Sequence, residues 1–206
     1  MSHEPHTISL GFTKQIFPAG MHVCQIFNHD EERLKSLLEF LRSGLVAGER
    51  VACFTDNLDR AHLARHLAKH SLSSDGLQES GAFSCTAASD VYFQGGLFDP
   101  DRMIGLLRQF QEDSVTNGFP ACRVIGEMSA EVQHIPGGSR LLEYESRVSL
   151  LLKEHPVTAV CQYDANTFDG ATLMKILKVH PMMVIRGAVV RNPCYIQPDE
   201  FLTRNH

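Results

Sequence analysis

Short apolar runs and longer stretches of helical periodicity alternate along this chain. His22-Val23-Cys24-Gln25-Ile26-Phe27 is mainly apolar and ends at the polar cluster Asn28-His29-Asp30. Beyond it, Leu34, Leu37, Leu38, Leu41 and Leu45 fall at i, i+3, i+4, i+7 and i+11, one face of a helix. Asn28 or Asp30 is expected to cap that helix, and Gly48 to end it. Arg50 to Phe54 reads as a second strand, followed by a helix that starts at Asp56 or Asn57 and carries Leu63 and Leu67. A third, weaker strand is expected around Phe83 to Thr86.

Asp99-Pro100 pairs an N-cap acceptor with proline at the first helical position. Met103, Ile104, Leu107 and Phe110 form the apolar stripe of that helix, which Asn117-Gly118 stops. Cys122 to Ile125 and Val157 to Cys161 read as the fourth and fifth strands. Between them lies a helix marked by Leu141, Leu142, Tyr144, Val148, Leu151 and Leu152, ended by His155-Pro156. A last helix carries Leu173, Ile176 and Leu177. Met182 to Val190 and Cys194 to Ile196 read as a C-terminal β-ribbon turning near Arg186-Gly187.

Strands separated by helices imply right-handed crossovers and an α/β fold. The expected architecture is three-layered, with a mostly parallel sheet of about five strands flanked by helices. Near-continuous apolar strands suit a sheet covered on both faces. No repeat or linker divides the chain, so residues 20–202 are expected to form one domain, with an N-terminal extension 1–19 and a tail 203–206. Ligands of such sheets sit at the carboxyl ends of strands. That directs attention to residues 27–30, 54–57, 126–129 and 162–164.

Composition narrows the function classes. At 43% hydrophobic and 21% charged residues, the chain is too apolar for disorder. A net charge of -5 offers no basic footprint for phosphate backbones, so direct nucleic-acid binding is not expected. No apolar run reaches the length of a membrane helix, and the N-terminus lacks a signal-peptide layout. A cytoplasmic location away from membranes is expected. Cysteines at 24, 53, 85, 122, 161 and 194 contain no CxxC pair. Cys24, Cys53, Cys122 and Cys161 are expected to be buried, reduced core thiols.

The loop Asn28-His29-Asp30-Glu31-Glu32 carries three carboxylates where a triphosphate would need positive charge, and no lysine directly follows a glycine anywhere. No GxGxxG follows a strand either, so no nucleotide cofactor is expected. His22 and Cys24 share a strand face and could hold a soft metal, with a third ligand from His29 or Cys161. A hydrogen-bonded histidine beside a core cysteine is the plainer reading, and no metal is expected. Glu127 ends the fourth strand and serves as base, ligand or structural acceptor, with the alternatives open. Tyr163 and Asp164 end the fifth. The expected ligand site comprises His22, Cys24, Phe27, Asn28, Glu127, Met128, Tyr163 and Asp164, with His22 and Cys24 beneath a cleft and Glu127, Tyr163 and Asp164 at its mouth. His62, His66 and His70 read as a solvated helix face, and Met128, Met174, Met182 and Met183 as packing.

Several ordered blocks resemble one known family. They are Gly20-Met21-His22-Val23-Cys24, Gly44 to Val51, Tyr92 with Gly96 to Met103, and Arg123 to Ser129. Leu142-Glu143-Tyr144-Glu145, Cys161-Gln162-Tyr163-Asp164, His180-Pro181 and Asn192-Pro193-Cys194-Tyr195 complete the series. In these blocks the chain resembles the MEDS family, the sensory domain named for methanogens, methylotrophs and the dichloromethane regulator. The resemblance implies a RecA/KaiC-like core without its phosphate-binding loop. It also implies a non-enzymatic sensor of small organic molecules, hydrocarbon derivatives among them, that signals to a transcriptional or histidine-kinase partner. Family members often carry an output segment. This chain leaves no room for one, so it is expected to act on a separate protein, with a homodimer also compatible, or to be part of a longer protein. The competing expectation is an enzyme, either metal-dependent or a degenerate nucleotide-binding protein, using Glu127.

Overall fold

The structure, a computed structural model, describes residues 6–204. Residues 1–5 of the expected extension and 205–206 of the expected tail lie outside the described residues.

The strand readings translate directly into a sheet. β1 (Thr7–Ser9) and β2 (Ile16–Pro18) form a small antiparallel hairpin. The main sheet holds β3 (His22–Phe27), β4 (Arg50–Phe54), β5 (Phe83–Thr86), β6 (Cys122–Met128), β7 (Val157–Asp164), β8 (Met182–Ile185) and β9 (Ala188–Arg191). Their order is β5-β4-β6-β7-β3-β8-β9, parallel except for β9. The sheet therefore has seven strands where about five are expected. The five expected strands are all present. The additional two are the C-terminal ribbon, which docks on the free edge of β3 through Val23↔Met182 instead of standing alone. Cys194 to Ile196 is not a strand, because Asn192 Oδ1 accepts from the Cys194 N–H and turns the chain there.

One face of the sheet is covered by α1 (Asp30–Val46), α2 (Arg60–Ala68) and the β1–β2 hairpin. Leu37, Leu38, Leu41 and Leu45 pack there on Val23, Val51, Ile125 and Val160. Each such leucine contributes roughly 1.5–3 kcal/mol by leaving water. α1 begins after His29 with no side-chain cap, so neither Asn28 nor Asp30 caps it. Instead Asp30, Glu31 and Glu32 occupy its first turn, where negative charge complements the helix dipole. Gly48 follows the helix at φ +74, a left-handed conformation that suits glycine. α2 begins later than expected because Asp59, not Asp56, accepts from the Ala61 N–H. α3 (Ser74–Glu79) leads into the edge strand β5.

The opposite face carries α4 (Ala88–Tyr92), α5 (Pro100–Thr116), α6 (Leu141–Glu154) and α7 (Gly170–Val179), followed at the C-terminus by α8 (Pro198–Arg204). Asp99 accepts from the N–H groups of Asp101 and Arg102, as its place before Pro100 predicts. Strand alternation sends Cys24, Ala52, Val124 and Tyr163 toward these helices, and Val23, Val51, Ile125 and Val160 toward α1. All six cysteines are free thiols; Cys24, Cys53 and Cys122 are buried, whereas Cys161 is only partly so.

Candidate functional site

Two polar clusters lie within this architecture, one on each face of the sheet. The first borders a cleft of about 540 Å³ at the carboxyl ends of the strands, lined by Asp56, Asn57, Glu127, Met128, Glu131 and Asp164 among others. Glu127 is already engaged on both oxygens. Thr55 Oγ1 donates to its Oε2 at 2.7 Å, Arg33 Nη1 donates to the same oxygen at 3.2 Å, and Asn57 Nδ2 donates to Oε1 at 2.9 Å. Arg33 is buried, and its remaining donors go to Asp30 Oδ1 and the Asn57 carbonyl. Asp56 accepts from the N–H and hydroxyl of Ser89, and Asp164 accepts from the N–H and amide of Asn166. Such carboxylates form a fixed, negatively charged wall. Glu127 acts as a structural acceptor that holds Arg33 and the loop after β4.

Of the residues expected at this cleft, Glu127, Met128 and Asp164 line it. Phe27 is buried, and Asn28 is exposed, its carbonyl accepting from Asn166 Nδ2. Tyr163 is not at the mouth. Its side chain is fully buried and points to the other face, where its hydroxyl donates to Glu145 Oε1 at 2.5 Å.

That contact belongs to the second cluster. His22, Glu145, Cys161 and His180 present one ligand-type atom each, all within 4.8 Å of one another, and no other such group exists among the described residues. His22 begins β3, Cys161 sits in β7 beside it, Glu145 descends from α6, and His180 follows α7. Glu145 Oε2 lies 3.2 Å from His22 Nε2, 3.4 Å from His180 Nε2 and 3.7 Å from Cys161 Sγ. Cys161 Sγ lies 3.5 Å from His22 Nε2. Burial and the neighbouring His180 lower the His22 imidazole to about 4, against the opposing pull of Glu145. Burial and then Glu145 push the Cys161 thiol well up. Cys24, which the sequence pairs with His22, is buried beside Cys161 in register but stands outside the group of four. Burial raises its thiol as well, which leaves it a poor nucleophile.

Sequence reasoning names His22 and Cys161 but misses Glu145 and His180 as partners. The available signal is spacing. Leu141, Glu145, Val148 and Leu152 recur at i, i+4, i+7 and i+11, which puts a carboxylate on a buried stripe. His22 also borders a second space, a cavity of about 480 Å³ at the amino end of β3, walled by Phe17, Met21, Leu152, Pro181 and Met182.

Comparison with known proteins places this arrangement in a family. The sequence profile described as "MEthanogen/methylotroph, DcmR Sensory domain" matches residues 21–181, a span that contains all four residues of the second cluster. The chain belongs to the MEDS family. Its sequence is 24% identical over 167 residues to the transcriptional repressor DcmR of Methylorubrum extorquens, covering 77% of this chain. The chain spans 57% of that relative's length. Among solved structures, the MEDS chain resembles a KaiC-like protein from Pyrococcus horikoshii, with TM-score 0.54, 14% identity, and coverage of 81% of this chain and 71% of that one. It also resembles the flagellar accessory protein FlaH of Methanocaldococcus jannaschii, with TM-score 0.59, 11% identity, and coverage of 90% and 84%. These likenesses establish a RecA/KaiC-like fold. No helix among the described residues is long and apolar enough to cross a membrane.

Proposed function

We propose that this MEDS domain is a non-enzymatic sensor that binds a small, largely apolar organic molecule and passes the change to a regulatory protein partner. The observation that carries the reading is the apolar cavity of about 480 Å³ that reaches the otherwise buried His22. Its volume lies within the usual range for small-molecule sites, roughly 300–1,000 Å³. Lys153, Arg191 and Tyr195 at its border offer polar handles for orientation.

The carboxyl-edge cleft is a poorer host for such a molecule. Its four carboxylates, Asp56, Glu127, Glu131 and Asp164, repel phosphates, and Glu127 is held by three donors, from Arg33, Thr55 and Asn57. This supports a domain that keeps a RecA-like core without nucleotide chemistry. The kinship with a repressor supports a regulatory role, and the net charge of -5 argues against direct contact with DNA and so for a protein partner.

A thermal-shift panel of short alcohols, amines, carboxylates and haloalkanes tests the reading. At least one class is expected to raise Tm saturably, and Leu152→Trp or Met182→Trp, which fill the cavity, to abolish that response. A response unchanged in both folded variants would move the ligand elsewhere. Saturable turnover of Mg-ATP would contradict the non-enzymatic reading.

A further inference from the structure

We propose that His22, Glu145, Cys161 and His180 bind one divalent transition-metal ion, zinc by ligand type, in a closed four-coordinate site. The geometry points to it in three ways. The first is tautomer. His180 Nδ1 lies 2.8 Å from the Ile176 carbonyl, which only accepts, so Nδ1 carries a proton and, in the neutral ring, Nε2 presents a lone pair. That Nε2 is buried and makes no hydrogen bond. His22 Nδ1 lies 2.8 Å from Ser149 Oγ, whose own hydroxyl donates to the Val179 carbonyl. With its hydroxyl so engaged, the serine oxygen is free to accept from Nδ1, the tautomer in which His22 Nε2 faces the cluster as a lone pair. Orientation of a ligating imidazole through its other nitrogen is the usual outer-shell arrangement of metal sites.

The second is saturation. With both rings in that tautomer, two imidazole lone pairs and Glu145 Oε2 face one another, and the Cys161 thiol proton is the single donor among the four groups. A buried set of acceptors with so few donors is costly, and a cation resolves it. Tyr163 already donates to the other oxygen of Glu145, leaving Oε2 for the metal.

The third is distance. A tetrahedral ion with bonds of about 2.0–2.3 Å sets its ligands roughly 3.3–3.8 Å apart. Four of the six separations here are 3.2, 3.4, 3.5 and 3.7 Å. Binding one M²⁺ releases the Cys161 thiol proton, and thiolate plus carboxylate then balance the ion's charge in the buried site. Two nitrogens, one oxygen and one sulfur form a borderline-soft set, matched to zinc and to cobalt as its spectroscopic substitute. With four protein ligands no position stays open for water, so the site holds structure or senses change and is not hydrolytic.

The test uses the full chain, prepared without metal-chelating affinity steps, stripped by a chelator and titrated with Co²⁺. One equivalent is expected to give the intense visible bands of tetrahedral cobalt and a near-ultraviolet thiolate-to-cobalt band, both displaced by Zn²⁺. Cys161→Ser should lose the thiolate band, whereas Cys194→Ser, at the exposed cysteine, should keep it. Ser149→Ala should weaken affinity by about 10–100-fold with circular dichroism unchanged, the effect of losing an outer-shell partner. Absence of a tetrahedral spectrum in the wild-type chain overturns the proposal even if a variant fails to fold. So does a thiolate band that survives in folded Cys161→Ser.

Discussion

The two faces of the sheet bury ionisable groups in opposite ways. On the α1 face, charges are matched. Arg123 donates from Nε and Nη2 to both oxygens of Glu49 at 2.6 Å, and its Nη1 donates to the Ser9 and Phe40 carbonyls and to Ser43 Oγ. Gly44 makes room for it, since a Cβ there would lie 2.5 Å from Arg123 Nε. Arg33 and Glu127 repeat the pattern nearer the carboxyl edge. On the α6–α7 face, His22, Glu145, Cys161 and His180 bring lone pairs together with almost no protons to share. A closed polar network fixes a fold, whereas an unbalanced one of similar burial points to a ligand that completes it.

The largest effect expected is on the matched face. Glu49→Gln leaves the fully buried Arg123 guanidinium without its counter-charge, and denaturant melts should show a loss of about 3–5 kcal/mol. A near-neutral result would break the contrast, because the pair would then hold nothing that the carbonyl acceptors do not. On the other face, Zn²⁺ at one hundred times its Kd should stabilise the chelator-stripped protein by about 2.7 kcal/mol. Cys161→Ser should show far less of that gain and Glu127→Gln all of it, a difference read directly from paired melts with and without zinc.

Glu127→Gln itself should cost about 1–3 kcal/mol, since the amide keeps one acceptor but withdraws the charge facing Arg33. Asp30, still 2.7 Å from Arg33 Nε, limits the loss. An unchanged melt would return Glu127 to the set of free groups able to meet a ligand.

Much of the fold is legible in the sequence because periodicity survives folding. The leucines of α1, the cap at Asp99-Pro100 and the uncharged run at Val157 each match the element that forms. The expected caps of α1 and α2 fail because their side chains are engaged elsewhere or face no free N–H, Asp30 being held by Arg33 of its own helix. Before α2 a tertiary contact decides: Asp56 is taken by Ser89, which leaves Asp59 to cap the helix. The polar clusters are less legible for a related reason. Glu145 and Tyr163 come from different elements, and their contact across the layer depends on how α6 is seated on the sheet. His22 and Cys24 look like a pair because they are near in sequence. Strand pairing sets Cys161 beside Cys24, while the seating of α6 and α7 on the sheet brings Glu145, His22 and His180 together, the two ring centroids 4.2 Å apart.

The smallest effect expected is a pH dependence at the start of α7. Contacts from Thr172, then Gln133, lower the Asp169 carboxyl to about 2. Its folded value lies below the ordinary carboxylate value of about 3.9, so its contribution is present above that pH and is lost as pH falls toward 2. Asp169→Asn keeps a capping acceptor but cannot titrate. Melts at pH 5 and pH 3 should show a smaller acid loss in the variant than in the wild type; equal losses would mean that the cap does not titrate in this way.

The most direct measurement for the central claim is the metal content of the wild-type chain. Protein purified without chelating resins or chelators, then incubated with Zn²⁺ and passed through gel filtration, is analysed by inductively coupled plasma mass spectrometry. The account predicts close to one equivalent of metal per chain, falling sharply in Cys161→Ser and unchanged in Glu127→Gln. A wild-type chain that retains less than a tenth of an equivalent, while folded, would contradict it.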